Sequence, residues 1–142
     1  MKIHSEVYKQ MLESPDIPPE TGGVLGMKNN SSIIEKICFI ENRFSDSSGV
    51  FLPDTYKANE IISNWMKNGI RFAGMFHSHA LQWPELSRAD KDYIVTIMQA
   101  MPSGVDELVF PIVFPRKGAR GFLAQKYDNK VNIIEDDINI IF

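Results

Sequence analysis

Residues 76–90 read FHSHALQWPELSRAD, and the organisation of the chain follows from this stretch. Two of the three histidines, His77 and His79, lie in it two positions apart. In an extended strand, residues i and i+2 point to the same face, so the two imidazoles can converge on one point. The residues before them, Ile70 to Phe76, are mostly apolar and predict a strand that runs into the pair. Ser87 predicts the start of a helix reaching about Met101, with Asp90 at its third position, near the positive end of the helix. A short connection can carry Asp90 back toward the imidazoles. Two histidines and one carboxylate, with one position open, make the donor set of catalytic zinc; structural zinc normally takes four protein ligands. Each part has a plainer reading too. A lone His-x-His arises on surfaces by chance, and Ser87-x-x-Asp90 is a capping box in its own right.

Outward from this stretch, the chain divides without a repeat, a low-complexity segment or a linker, which predicts one domain over residues 1–142. Residues 5–14 predict a helix with Ser5 as its cap, and Pro15, Pro18 and Pro19 forbid its continuation. Residues 21–27 read as a glycine-rich strand and 32–41 as the next. Residues 42–53 form a polar loop, and Asp54 caps a helix over 55–68 that Gly69 ends. Pro102, Ser103 and Gly104 stop the helix that begins at Ser87, and two strands follow, 107–115 and 119–127. From 130 onward the chain is apolar in patches, interrupted by Glu135-Asp136-Asp137. Helices and strands alternate without a strict βαβ rhythm. That predicts an α/β chain of the mixed α+β kind, a mixed sheet with helices packed on it.

Composition narrows the function classes. With 44% apolar and 23% charged residues, the chain reads as an ordinary soluble globular protein. No apolar run nears the ~20 residues that span a bilayer. The opening MKIHSEVYKQ lacks the apolar core of a secretory signal, so no membrane partner and a cytoplasmic location are expected. Net charge is −3, from 18 acidic and 15 basic residues, and the basic ones are scattered; this argues against nucleic acid as a partner. The single cysteine, Cys38, can form neither an internal disulfide nor a zinc ribbon. Within Ile37-Cys38-Phe39-Ile40 it is expected to be a buried small hydrophobe.

Taken together, the spacing resembles that of the JAMM, or MPN-domain, metalloproteases. Their signature is an upstream Glu, then His-x-His, seven residues, Ser, two residues and Asp. Here the chain reads His77-Ser78-His79, seven residues from Ala80 to Leu86, Ser87, Arg88-Ala89 and Asp90. Glu20, in Pro19-Glu20-Thr21-Gly22-Gly23, stands where the upstream Glu belongs; on its own it reads as a loop carboxylate. The resemblance covers roughly residues 1 to 100. It implies a curved mixed β-sheet flanked by helices, similar to the cytidine-deaminase architecture. Deaminase chemistry is not implied, because one cysteine cannot supply the PCxxC half of that signature. By the same resemblance His77, His79 and Asp90 would hold Zn2+, Glu20 would move the proton, and Ser87 would donate to the oxyanion. Manganese, iron or cobalt also suits such a donor set.

Members of this family often remove ubiquitin or ubiquitin-like proteins after a C-terminal Gly-Gly. The short chain is similar to compact prokaryotic members, which implies a ubiquitin-like or sulfur-carrier-like protein as substrate. Gly22 and Gly23 are compatible with a strand edge that accepts an extended tail, and residues 42–53 with a flank of its groove. Two other readings stay open: a non-catalytic scaffold domain, and an amidase acting on small molecules.

Overall fold

Val24 and Leu25 are both fully buried, yet they belong to two different apolar clusters. Successive side chains of a strand point to opposite faces, so a strand buried on both sides must lie inside a sheet covered on both sides. The computed structural model describes residues 1–16, 20–42 and 51–142. The chain runs β1 (Lys2–His4), α1 (Ser5–Leu12), β2 (Gly22–Lys28), β3 (Ile33–Ile40), α2 (Thr55–Lys67), β4 (Ile70–Ser78) and α3 (Arg88–Ala100). Six short strands complete it: β5 (Glu107–Val109), β6 (Ile112–Phe114), β7 (Gly118–Arg120), β8 (Phe122–Tyr127), β9 (Lys130–Glu135) and β10 (Asn139–Ile141).

All the strands join one curled mixed sheet in the order β10-β1-β3-β2-β4-β5-β8-β9, with β6 paired to β4 and β7 to β6. The expected class, a curved mixed sheet flanked by helices, is the observed one. Helix α1 covers one face, where Val7 and Met11 meet Ile3, Leu25 and Phe76. Helices α2 and α3 cover the other, where Ala58, Ile94 and Met98 meet Val24 and Met75. Among the described residues no helix is long and apolar enough to cross a membrane.

One irregularity in β4 sets the phase of everything after it. Leu25 pairs with Gly74 and Gly26 with Phe72, so Ala73 is skipped and β4 carries a bulge. Before the bulge, Phe72 packs on the α2/α3 side and Ala73 on the α1 side. After it, Met75 takes the α2/α3 side and Phe76 the α1 side. The parity has switched, and His77 follows Met75 toward α3. Gly74 permits this: its φ is +148°, and a Cβ there would sit 1.8 Å from the carbonyl oxygen of Val109 in β5.

Several expectations need correction. The cap of α1 is His4, whose Nδ1 accepts the Glu6 N–H at 3.1 Å; Ser5 is already helical. The three residues before it form β1. The strand expected over 107–115 is two strands, because Pro111 has no N–H to donate and the pairing partner changes from β8 to β7. The strand expected over 119–127 is likewise divided at Gly121, and the tail holds β9 and β10. Cys38 is half-buried rather than buried, packed at the margin of the α2/α3 cluster. Gly22 and Gly23 do not lie at a sheet edge, since β2 is paired on both sides, with β3 and β4. A Cβ at Gly22 would meet the Phe76 carbonyl oxygen at 2.3 Å and one at Gly23 that of Cys38 at 2.1 Å, so these glycines serve the sheet itself. The asparagine and proline at the ends of the expected 42–53 loop pair as an isolated bridge, Asn42 with Pro53. Residues 43–50 of that loop, and Pro18 and Pro19, lie outside the described residues.

Candidate metal centre

His77 and His79 emerge from the end of β4 on its α3 side. Their backbones are held by β6 and the proline before it, with His77 N–H donating to Pro111 O at 3.3 Å and His79 N–H to Val113 O at 2.9 Å. Facing them, α3 turns a buried stripe of Asp90, Ile94 and Met98 toward the sheet, spaced four residues apart. Asp90 heads that stripe, one turn above Ile94. It is held by the expected capping box: Ser87 Oγ accepts the Asp90 N–H at 3.0 Å, and Asp90 Oδ2 accepts the Ser87 N–H at 2.9 Å. Glu20 arrives from the segment before β2. Thr21 and Ser78 exchange two hydrogen bonds, Thr21 N–H to Ser78 Oγ at 2.9 Å and Ser78 N–H to Thr21 O at 2.7 Å. The Asn42 side chain also donates to Glu20 O at 2.9 Å.

The four side chains meet. His77 Nε2, His79 Nε2 and Asp90 Oδ2 form a nearly equilateral triangle with edges of 3.0, 3.1 and 3.2 Å. Glu20 Oε1 stands 3.6 Å from His79 Nε2, and one ligand atom of each of the four lies within 4.8 Å of the rest. All four residues are buried. Donors about 2.0 Å from a tetrahedral ion stand about 3.3 Å apart, close to the edges of this triangle. The donor chemistry fits as well. His79 Nδ1 lies 2.9 Å from the Trp83 carbonyl oxygen, which fixes a proton on Nδ1 and leaves Nε2 facing the centre, the nitrogen that would meet an ion. The ring of Phe51 lies parallel to that of His77 at 6.0 Å. Glu20 Oε2 is buried without a hydrogen-bond partner, an arrangement that costs stability unless a ligand or water meets it. These residues can hold a metal ion.

The electrostatics divide the two carboxyl groups. Burial pushes Glu20 up to about 7; the His79 imidazole opposes that, the Asp90 carboxylate adds to it, and a backbone hydrogen bond from Phe51 opposes it. Burial would raise Asp90 also, but hydrogen bonds from His77 and His79, the charge of His77, and the Ser87 N–H hold it well below the usual carboxylate range. Burial lowers His79, and this is outweighed by Asp90, the Trp83 carbonyl and Glu20, which leave it raised.

Ser87 lies at the rim, exposed, as the cap of α3. Its hydroxyl accepts the Asp90 N–H and keeps its own proton to donate. Glu85, the other carboxylate between the histidines and Asp90, is exposed and pairs with Arg120 at 2.9 Å. Trp83 is 68% exposed, so its ring is not a packing anchor. His4 is occupied as the α1 cap. Three contributors carried no signal in the sequence: Ser78, which ties Glu20's neighbour to β4; Asn42, which holds the Glu20 carbonyl; and the Trp83 carbonyl behind His79. Each acts through a contact that spacing does not reveal.

No protein-family model and no curated protein matches the chain. Solved structures do. Protein DSY2949 from Desulfitobacterium hafniense aligns over 99% of this chain and 92% of its own, with TM-score 0.70 and 21% identity. A JAB1/MPN domain protein from Archaeoglobus fulgidus, AF2198, aligns over the whole of both chains with TM-score 0.52 and 16% identity. A protein from Salinibacter ruber aligns over 97% of this chain and 90% of its own, with TM-score 0.56 and 15% identity. At these identities the likeness is one of fold, and the fold is MPN-like.

Proposed function

We propose that this chain is a zinc-dependent metallopeptidase of the JAMM kind. It hydrolyses a peptide or isopeptide bond after the C-terminal tail of a ubiquitin-like or sulfur-carrier-like protein. The observation that carries the reading is the triangle of His77 Nε2, His79 Nε2 and Asp90 Oδ2 with the unpartnered Glu20 Oε2 buried beside it. The substrate class rests on the motif resemblance.

His77, His79 and Asp90 would hold the ion, whose Lewis acidity makes water a nucleophile near neutral pH and polarises a carbonyl oxygen. The chain's own residues do the rest. Glu20 accepts the proton of the attacking water at a carboxylate oxygen as the new C–O bond forms. It then delivers that proton to the amine nitrogen as the C–N bond breaks. A buried carboxylate with one unpartnered oxygen can serve both steps. Ser87 donates a hydrogen bond to the developing oxyanion, and Asp90 is kept in place by the Ser87 N–H.

The test is metal content per chain by elemental mass spectrometry, on wild type beside His79→Ala, followed by cleavage of tail-linked ubiquitin-like substrates. About one zinc in wild type and none in the variant supports the reading. No metal in either, after reconstitution, sinks it in favour of a scaffold domain. Cleavage of short amides but not of modifier tails would replace the substrate class with small molecules.

A further inference from the structure

We propose that Arg120 is a positioning residue for the metal centre: it clamps the loop between β4 and α3 so that the Trp83 carbonyl holds His79 in the ligating tautomer. The inference rests on the reading of His79 as a ligand. The loop has little of its own to fix it. Leu81, Trp83 and Glu85 are exposed, and the next buried side chain is Leu86. A single turn, Trp83 N–H to Ala80 O at 2.9 Å, closes its first half. Yet the Trp83 carbonyl oxygen must stay 2.9 Å from His79 Nδ1.

The peptide that follows supplies the hold. Arg120 Nη1 donates to Pro84 O and to Glu85 Oε1, both at 2.9 Å. On its other side the guanidinium is anchored to the sheet: Nε donates to Glu135 Oε2 in β9 at 2.7 Å, Nη2 reaches the same oxygen, and the group stands 5.4 Å over the Phe122 ring. One planar group thus joins β7, β8 and β9 to the two residues after Trp83. Pro84 has a fixed φ and no N–H, so a hold on its carbonyl constrains the Trp83 peptide directly. An exposed ion pair by itself contributes little. What separates Arg120 from such a pair is its bond to a loop carbonyl adjoining the carbonyl that sets a ligand. The fork matters as well as the charge, because a lysine ammonium cannot hold Glu135 and the loop in one plane.

The experiment compares wild type, Arg120→Ala, Arg120→Lys and Glu135→Ala as full chains. Metal-free protein is read by 15N NMR of the imidazoles, and zinc affinity by competition with a chelator. Wild-type His79 is expected to show an Nδ1–H held by the Trp83 carbonyl and slow to exchange, and Arg120→Ala to lose that protection. Zinc affinity in Arg120→Ala is expected to fall about tenfold, the low end of losses measured for groups behind a metal ligand. Arg120→Lys should fall between the two. Glu135→Ala, a change at an exposed position of β9, should move both readouts the same way and serves if Arg120→Ala does not fold. Unchanged Nδ1–H protection with affinity within about twofold of wild type, in Arg120→Ala or in Glu135→Ala alone, overturns the proposal. If wild type binds no zinc but the Nδ1–H protection still responds to Arg120→Ala, the clamp stands and the metallopeptidase reading falls.

Discussion

Glu20 carries one unpartnered oxygen in a buried position and a proton affinity balanced near neutrality. If it moves the proton, Glu20→Gln leaves metal content at the wild-type level and lowers turnover roughly a hundred- to ten-thousand-fold. Full turnover in that variant would remove Glu20 from the mechanism. The same residue leaves a mark on the metal-free protein. Its folded value, about 7, lies above its ordinary 4.5, so the folded state binds the proton more tightly. Stability therefore falls as pH rises from 4.5 to about 7, by roughly 3 kcal/mol at most. His79, also raised, contributes stability below its ordinary 6.5 and loses it above, as pH climbs through the folded value. Asp90, depressed, contributes above its ordinary 3.8 and loses that only on acidification. Between pH 4.5 and 6.5 the slope thus belongs to Glu20. Denaturant titrations of metal-free Glu20→Gln should show it flattened, and a slope equal to wild type would count against the burial of this carboxyl.

Two elements aim the site. Helix α3 presents Asp90 through its cap, so Ser87→Ala should lose about 1 kcal/mol of stability by denaturant unfolding. If Ser87 also serves the oxyanion, kcat falls by a further factor of roughly a hundred or more with metal content unchanged. A variant that loses stability but keeps kcat would leave Ser87 as a cap only. Strand β4 presents His77 through its bulge. Gly74→Ala would place a methyl 1.8 Å from a carbonyl oxygen of β5, at a φ of +148° that L residues rarely adopt. Relieving that contact undoes the bulge or separates β5. In either case metal binding should be lost together with stability, whereas Ala at half-buried Gly118, which also has positive φ but open space around it, should keep the metal.

Across the whole molecule, the centre is a junction. Its four side chains come from the segment before β2, from β4 and its extension, and from α3, with β6 holding the histidine backbones. An ion bound there links parts of the chain that separate on unfolding, so it adds to global stability by mass action. With free zinc at a hundredfold its dissociation constant, thermal or denaturant unfolding should show about 2.7 kcal/mol of added stability, absent in His79→Ala. Equal stabilisation of both proteins would place the metal elsewhere.

The sequence alone determined what local chemistry dictates. Apolar periodicity marked α1, α2, α3 and β2 to β4 to within a residue or two, Asp54 and Ser87 announced their caps, and the spacing from His77 to Asp90 named the ligand candidates. It could not show which face the histidines take, because that depends on a bulge whose parity switch needs β2 alongside. Nor could it show that Gly22 and Gly23 lie between two paired strands, or that Phe110-Pro111 splits one apolar run between two partners, since pairing is a property of neighbours distant in the chain. The resemblance assigned Glu20 to the site, but only the tertiary structure showed what holds it to residues 57 to 70 positions downstream, Thr21–Ser78 and Asn42, and set Arg120 behind the loop. Local propensity reaches as far as one turn or one strand; the burial that raises Glu20 and the contacts that orient His79 exist only once the sheet has closed around them.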